Sequence, residues 1–200
     1  MDLFTAIKTR RAVKHFVEGA VMPEHDFKLL MDTVLLSPTS YNIQHWRFVR
    51  VTDSAKRKQL QEAAWGQEQV SAASELIILC ADTQAWQDRP ERYWADAPES
   101  VRDMLVGMLK DFYAGRGQVQ RDEAMRSCGI AAQTLMLTAQ AMGYDSCPMV
   151  GFDDKQVAEL IQLPEGHVIG MMITIGKAAE PAKGRGGQLP LEEVLMVNRF

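Results

Sequence analysis

The chain has 200 residues, and 22 Lys and Arg residues against 26 Asp and Glu residues give a net charge of −4. A hydrophobic content of 46% and a charged content of 24% are typical of a globular protein and exclude disorder over most of the chain. The length fits a single domain over residues 1–200, and the acidic balance argues against nucleic-acid binding, which needs a basic face.

The first 82 residues predict helices that alternate with strands. Pro23 suits a first helical turn, and the apolar residues that follow it recur at three- and four-residue spacing. Asp53 is expected to cap the next helix. The apolar run from Glu75 to Ala81 is typical of a strand that is covered on both faces. The predicted elements, in order, are helices over 2–9 and 23–36, a strand over 46–51, a helix over 53–65 and a strand over 75–81.

The remaining residues begin with a polar segment, 83–120, which we expect to be a variable excursion with one helix over 100–112. Gly143 suits the C-terminal cap of the long helix that precedes it. Helices that alternate with at least three strands predict an α/β or α+β class. The later predicted elements, in order, are a helix over 121–142, a strand or extended turn over 147–151, a helix over 153–161, a strand over 167–175, a loop over 177–187 and a short helix or strand with a hydrophobic tail over 191–200.

Cysteine usage and the first residues predict a cytoplasmic protein. Cys80, Cys128 and Cys147 cannot all pair, and none has a second cysteine at metal-ligand spacing. The N-terminal segment shows no apolar signal core. The uncharged stretch from Cys128 to Met142 is shorter than the ~20 residues of a membrane-spanning helix. We therefore expect no membrane association, and a helix that is buried in the core or at a subunit interface.

Standard catalytic signatures are missing from the sequence. It contains no glycine-rich dinucleotide or P-loop motif, no GxSxG and no HExxH. Its four histidines are scattered, and no pair has metal-ligand spacing. These absences disfavour a metal site and a standard hydrolase.

Three polar or basic segments remain as candidate binding sites. In Arg10–Phe16, alternation along an extended chain would send Arg10, Ala12 and Lys14 to one side. Ser37–Gln44 collects hydroxyl and amide groups in one loop before a strand. Lys183–Gly187 combines glycines with two cations that suit a phosphate. Taken alone, the first and third segments are better explained as a solvated basic turn and a flexible surface loop. A helix stop followed by a turn would explain the second segment, but not why Gln44 and Trp46 follow it.

Together, these segments carry a resemblance to a known family. RRAVKHF near the N-terminus, SPTSYNIQHWRF about thirty residues later, AMGYDSCPMVGF after a long helix and a late KGR stand in the order found in FMN-dependent nitroreductases. The resemblance covers nearly the whole chain and is weakest over 83–120. It implies an α+β fold with a central mixed, mostly antiparallel sheet flanked by helices. It also implies an intertwined homodimer with one FMN in each of two clefts at the subunit interface.

The resemblance also implies which residues contact FMN. Arg10, Lys183 and Arg185 would hold the phosphate, Lys14 would point to the pyrimidine edge, and the Gly151 amide would lie near N5. No catalytic side chain and no metal is expected, because the chemistry belongs to the flavin, which Lys14 and Gly151 would tune. Pro38, Thr39, Ser40 and Asn42 would come from the partner chain. The complete expected set is Arg10, Arg11, Ala12, Lys14, Pro38, Thr39, Ser40, Asn42, Gln69, Pro148, Met149, Val150, Gly151, Lys183 and Arg185.

Three positions depart from the family pattern. Ala12 stands where family members often have Ser or Thr, so we expect a backbone amide to replace a hydroxyl there. His45 stands where the family usually has Pro, and we expect it to loosen the loop and add a titratable group near the cleft. Val150 stands where some members carry an acidic residue, which makes the site beside N5 more apolar.

The implied activity is transfer of a hydride from NAD(P)H through FMN to an electron-poor small molecule such as a nitroaromatic or a quinone. One alternative is a flavin reductase, or a dedicated metabolite reductase or dehydrogenase, of the same fold. Another is a flavin-binding protein without efficient turnover. A third, independent of the resemblance, is a regulator that holds an anionic ligand with Arg10, Arg11 and Lys14. No residue that would read the nicotinamide ribose is identifiable, so both NADH and NADPH stay open as reductants.

Overall fold

A computed structural model describes residues 1–200, and a four-stranded sheet lies at its centre. The strands stand in the order β1–β2–β4–β3, and all three ladders are antiparallel. The only parallel pairing is an isolated bridge between Ala12 and Ser146, so the sheet is more uniformly antiparallel than the expected mixed one. The strand bounds are β1 Trp46–Arg50, β2 Glu75–Asp82, β3 Asp145–Met149 and β4 His167–Gly176.

Eight helices surround the sheet. Three of them begin after an aspartate cap, of which only Asp53 was predicted. The carboxylates of Asp2, Asp53 and Asp153 accept hydrogen bonds from backbone amides two or three residues ahead. Short 3₁₀ helices occupy Ser40–Asn42 and Pro90–Trp94. The helices are α1 Leu3–Thr9, α2 Glu24–Val34, α3 Ser54–Ala63, α4 Gln69–Ala72, α5 Glu99–Tyr113, α6 Gly117–Ala141, α7 Asp154–Leu160 and α8 Leu191–Val194.

Three elements differ from the sequence prediction. β3 spans Asp145–Met149 and not 147–151, because its ladder with β4 begins at the pair Asp145 and Gly176. α4 was not predicted, because four residues are too few to show a helical apolar repeat. α6 begins at Gly117 and not at Arg121, because its first turn is polar and solvated and has no apolar period to mark it. The excursion therefore comprises residues 83–116, and this name is used for that segment below.

The sheet has a hydrophobic core on each face. Ile77 and Leu79 of β2 pack with α2 and α6 on one face, while Leu76 and Ile78 pack with α3 and α7 on the other. β2 is buried from Glu75 to Ala81, as its continuous apolar run predicted. Since the core holds both faces of β2 in place, the loops at the sheet edges have a rigid support.

A glycine allows the long helix to pack closely on the sheet. A Cβ atom at Gly170 of β4 would lie 2.9 Å from the Cβ atom of Cys128 on α6 and 3.2 Å from the Leu79 carbonyl oxygen. Most of the apolar side of α6, including Ala131, Leu135 and Ala139, is buried in the core of its own chain. Intrachain packing thus explains most of the uncharged stretch, and no helix combines the length and apolarity needed to cross a membrane.

The C-terminal segment is exposed along its whole length. Every residue from Lys183 to Phe200 is exposed, and helix α8 is one turn long. Its apolar side chains lack cover from the rest of the chain, notably Leu195, Met196, Val197 and Phe200.

Candidate functional site

Two segments that are distant in sequence line one basic cavity. Arg10, Arg11 and Ala12 lie on one side of a space of about 370 Å³, and residues 183–188 lie on the other. The structure thus brings together three of the predicted cations, Arg10, Lys183 and Arg185. We call this space the basic cavity.

The cations of the basic cavity are not neutralised by acidic side chains. Neither Arg10, Lys183 nor Arg185 forms an ion pair with a carboxylate of the chain. Burial lowers the pKa of the Arg10 guanidinium, and the neighbouring charges of Arg185 and Arg11 lower it further. Arg185 Nη2 donates to the carbonyl oxygens of Ile7 at 3.1 Å and Arg10 at 3.4 Å, which fixes one nitrogen and leaves the others available. This arrangement attracts an anion.

Arg11 has a different local role from Arg10. Its Nη1 atom donates to the carbonyl oxygens of Lys8 at 2.7 Å and Arg10 at 2.9 Å. These carbonyls end helix α1, where a cation is favourable. Arg11 therefore supports the turn and the positive potential of the cavity that it lines.

The extended segment after α1 alternates as predicted. The Val13 amide donates to the Ser146 carbonyl at 3.1 Å, so the segment runs along the edge of β3. Val13 is buried, whereas Ala12 and Lys14 are exposed on the other side. Burial raises the pKa of the Cys147 thiol on β3, and the charges of Lys14 and Arg10 oppose that rise because both lie beside it.

A glutamine links Lys14 to Gly151. Lys14 Nζ donates to Gln67 Oε1 at 3.3 Å, and Gln67 Nε2 donates to the Gly151 carbonyl at 2.8 Å. The predicted residue Gln69 is buried behind this link, where its Nε2 atom donates to Gln67 Oε1 at 2.9 Å. Gln67 was missed because two glutamines two residues apart look alike in sequence, and only the turn before α4 decides which one reaches the site.

Gly151 lies against an exposed indole ring. A Cβ atom at this position would lie 3.2 Å from Trp65 Cζ3 and 3.6 Å from Gln67 Nε2, so a side chain would have to displace one of them. Trp65 is 72% exposed and Val150 is 75% exposed, and together they form an apolar rim. Trp65 was missed because its ring meets Gly151 only through the fold.

The other predicted residues at the end of β3 differ in whether their side chains are accessible to a ligand. Pro148 is half-buried and Val150 is exposed, as expected for residues that face a ligand. The Met149 side chain instead lies in the core and accepts a weak contact from Gln69 Nε2 at 3.6 Å to its sulfur. Alternation along β3 turns Met149 inward, so only its backbone is available to a ligand.

The predicted partner-chain residues do not join the basic cavity in their own chain. Pro38 and Asn42 are exposed, and Thr39 and Ser40 are half-buried. Their contacts run to the excursion and within the loop: Ser40 Oγ accepts from the Tyr113 hydroxyl, and the Thr39 hydroxyl accepts from the Gln44 amide.

His45 is not a titratable group at the surface of a cleft, as expected from the sequence, but a core residue. Its Nδ1 atom lies 3.0 Å from Ser127 Oγ on α6, and the residue is 1% exposed. Burial lowers the pKa of His45 to about 4, so the imidazole is neutral at physiological pH. The imidazole anchors the end of the loop to α6, which contradicts the expected loosening.

The donors fit a planar ligand that carries a phosphate. Unpaired cations in the basic cavity suit a phosphate dianion, and an ammonium with two amides suits a polar ring edge. A glycine with no space for a side chain allows a flat ring to approach the backbone. These donors match the phosphate and the polar ring edge of FMN, and the chain has no cluster of side chains that could hold a metal ion.

Comparison with known proteins places the chain in a family. The model of the nitroreductase family matches residues 7–177. Protein DrgA of Synechocystis sp. is 46% identical over 204 aligned residues, which cover 100% of this chain and 97% of that protein. The Bacillus subtilis protein named "Putative NAD(P)H nitroreductase MhqN" is 32% identical, over 94% of each chain.

A solved structure agrees with the sequence matches. The "putative nitroreductase in complex with FMN" from Exiguobacterium sibiricum superposes with a TM-score of 0.92 at 25% identity. The superposition covers 99% of this chain and 98% of that one. This chain therefore belongs to the nitroreductase family, a family of FMN-dependent NAD(P)H oxidoreductases.

Proposed function

We propose that this protein is a homodimer with one FMN in each of two interface clefts, and that it uses NAD(P)H to reduce electron-poor small molecules such as nitroaromatics or quinones. When bound, FMN supplies hydride transfer through its N5 atom between the nicotinamide and the acceptor. The observation that carries the proposal is the convergence of Arg10, Lys183 and Arg185 on one cavity without a carboxylate partner.

The basic cavity would hold the phosphate. Arg10 and Arg185 supply paired N–H donors, and Lys183 adds a third positive charge. A bound dianion would oppose the burial and the mutual repulsion that together lower the pKa of Arg10. Ala12 has no hydroxyl to contribute, so its backbone amide would serve in place of one.

Lys14, Gln67 and Gly151 would hold the ring end of the cofactor. The Lys14 ammonium would bind the polar pyrimidine edge and favour negative charge there. The hydrogen bond from Gln67 to the Gly151 carbonyl would hold the peptide unit that follows the Gly151 amide, the group expected near N5. Pro148, Val150 and the backbone of Met149 would line the same wall, and Gln69 would act from behind by holding Gln67.

The dimer is proposed from three surfaces that a single chain leaves open. Pro38 and Asn42 are exposed and do not line the basic cavity of their own chain, so their contact with a cofactor is assigned to a second copy. The C-terminal segment exposes apolar side chains from Leu189 to Phe200, which is unusual for a monomer. A second apolar surface lies between α1, α2 and α6, where Leu3, Leu29 and Leu137 line a groove of about 540 Å³.

A broad acceptor range is proposed from the rim of the site. Trp65 and Val150 are apolar and exposed beside Gly151, and neither carries a group that would select one acceptor by charge or hydrogen bonding. Flat, electron-poor rings would bind there through apolar contact and stacking.

The absorbance spectrum of the purified protein tests the proposal first. We expect flavin bands in this spectrum. We also expect the protein to oxidise NADH or NADPH when a nitroaromatic or a quinone is added. Flavin bands without such turnover would instead indicate a flavin-binding protein. A colourless protein that cannot be reconstituted with FMN would reject the cofactor assignment.

The phosphate contacts are tested by FMN affinity in the Arg10→Ala and Arg185→Ala variants. Loss of one charge-assisted contact is expected to cost about 1.5–3 kcal/mol, which corresponds to roughly a ten- to hundredfold rise in Kd. Lys110→Ala, which removes one positive charge from the exposed surface of α5, should leave the affinity unchanged. Equal affinity in both arginine variants and the parent would reject the placement of the phosphate.

A further inference from the structure

The loop that is proposed to reach the partner's cofactor has an unusual backbone. Tyr41, Asn42 and Gln44 adopt φ angles of 49°, 51° and 53°, in the left-handed region that residues other than glycine seldom occupy. Such conformations persist where the surroundings hold them, and they concentrate at functional sites.

The excursion supplies the contacts that hold this loop. The Tyr41 ring packs among the rings of Trp94, Phe112 and Tyr113, with centroid separations between 6.1 and 6.5 Å. Asn42 Nδ2 donates to the Tyr93 carbonyl at 2.8 Å. Ile43 is fully buried among Ala85, Tyr93, Leu109 and Tyr113 of the excursion. Three successive loop residues are thus held by a segment that begins forty residues later.

A further residue of this loop, Ser40, forms a direct hydrogen bond with Tyr113. The Tyr113 ring is fully buried, and its hydroxyl donates to Ser40 Oγ at 2.9 Å. Burial raises the pKa of Tyr113, so the phenol keeps its proton. A phenol is more acidic than an aliphatic hydroxyl and is therefore the better donor of the pair. A serine hydroxyl that accepts this bond keeps its own hydrogen for another acceptor.

We propose that the excursion acts as a clamp on the 38–42 loop, and that Tyr113 is its positioning residue, because it fixes the Ser40 hydroxyl as a donor to FMN bound across the subunit interface. This inference rests on the proposed function, in which Ser40 contacts the partner's cofactor. In this inference, the excursion holds the 38–42 loop in the conformation that binds the flavin.

A double-mutant cycle tests the coupling through FMN affinity of the apoprotein, followed by quenching of flavin fluorescence. Tyr113→Phe removes one hydroxyl and keeps the ring, and it should raise the Kd for FMN about three- to tenfold. Ser40→Ala should have an effect at least as large. The double variant should bind FMN as Ser40→Ala does, because the Tyr113 hydroxyl acts only through Ser40.

Tyr93→Phe is the matched control, since the Tyr93 hydroxyl bonds the Ala85 carbonyl within the excursion and does not touch the loop. It should leave the Kd for FMN unchanged. An unchanged Kd in Tyr113→Phe, or additive losses in the double variant, would overturn the positioning role. If Ser40→Ala itself binds FMN normally while Arg10→Ala does not, the inference and the Ser40 contact both fail, but the cofactor assignment stands.

Discussion

At the scale of single residues, a substitution of Lys14 distinguishes a residue that tunes the cofactor from one that only retains it. The Lys14 ammonium lies at the end of the Gln67 link and interacts more strongly with a negatively charged ring edge than with a neutral one. In Lys14→Met we expect oxidised FMN to stay bound, since the basic cavity is intact. The two-electron reduction potential should fall by about 30 mV for each tenfold loss in differential affinity.

Hydride transfer from NAD(P)H to the Lys14→Met variant should slow together with the fall in potential, by up to tenfold for each 1.4 kcal/mol of lost stabilisation. Stopped-flow reduction and equilibrium potentiometry measure the two quantities. Lys58→Met, on the exposed side of α3, is the control and should match the parent. If Lys14→Met also keeps the potential and rate of the parent, Lys14 is only a surface lysine.

His45 predicts how stability depends on pH. Its pKa is about 4 in the folded chain and about 6.5 when unfolded, so between these values the unfolded chain binds the extra proton. The contribution of His45 is complete above pH 6.5 and is lost as the pH falls toward 4. Between pH 7.5 and pH 5 this residue alone should lower the free energy of unfolding by about 2 kcal/mol.

Urea unfolding of His45→Asn at the two pH values checks this expectation. Asn can keep a bond to Ser127 but does not titrate, so the variant should lose about 2 kcal/mol less stability than the parent on acidification. The same dependence in His45→Asn and the parent would mean that the imidazole is solvated and protonated in the fold.

At the scale of elements, the packing of α6 on β4 depends on Gly170. The Cβ atom in Gly170→Ala would meet the Cβ atom of Cys128 at 2.9 Å, and neither helix nor strand backbone can give way cheaply. We expect a loss of about 1–3 kcal/mol in the free energy of unfolding, measured by urea denaturation. Gly107→Ala, on an exposed helix position with open space, should instead stabilise by about 0.5–1 kcal/mol. A neutral Gly170→Ala would show that α6 lies farther from the sheet.

At the scale of the whole molecule, the C-terminal segment links assembly to cofactor binding. Truncation after Gln188 removes its apolar side chains but keeps Lys183 and Arg185 in the chain. If the segment covers a partner, the truncated protein should form a weaker dimer and bind FMN less tightly. Analytical ultracentrifugation and FMN titration measure the two effects.

The control for the truncation is the double variant Glu192→Gln and Glu193→Gln, which changes the charge of the same segment and keeps its apolar side chains. It should remain a dimer with the FMN affinity of the parent. A full-length protein that is monomeric in solution and binds FMN tightly would contradict the proposed interface and its role in the site.

Features that depend on neighbours in the chain follow from the sequence alone. Spacing and residue type over a few positions predict the cap of α3, the burial of β2 on both faces and the alternation around Val13. Four motifs in a fixed order along the chain also indicated the family, and the resemblance indicated the cations of the basic cavity.

Which groups meet across long separations depends on tertiary packing. Packing selected Gln67 over Gln69, buried His45 against Ser127 and placed the excursion on the 38–42 loop. None of these contacts has a local signal, because each depends on how two separate elements pack. The direction in which a side chain points is set by its own backbone. The residue that it contacts is determined by the sheet and the helices, because they bring a distant segment to it.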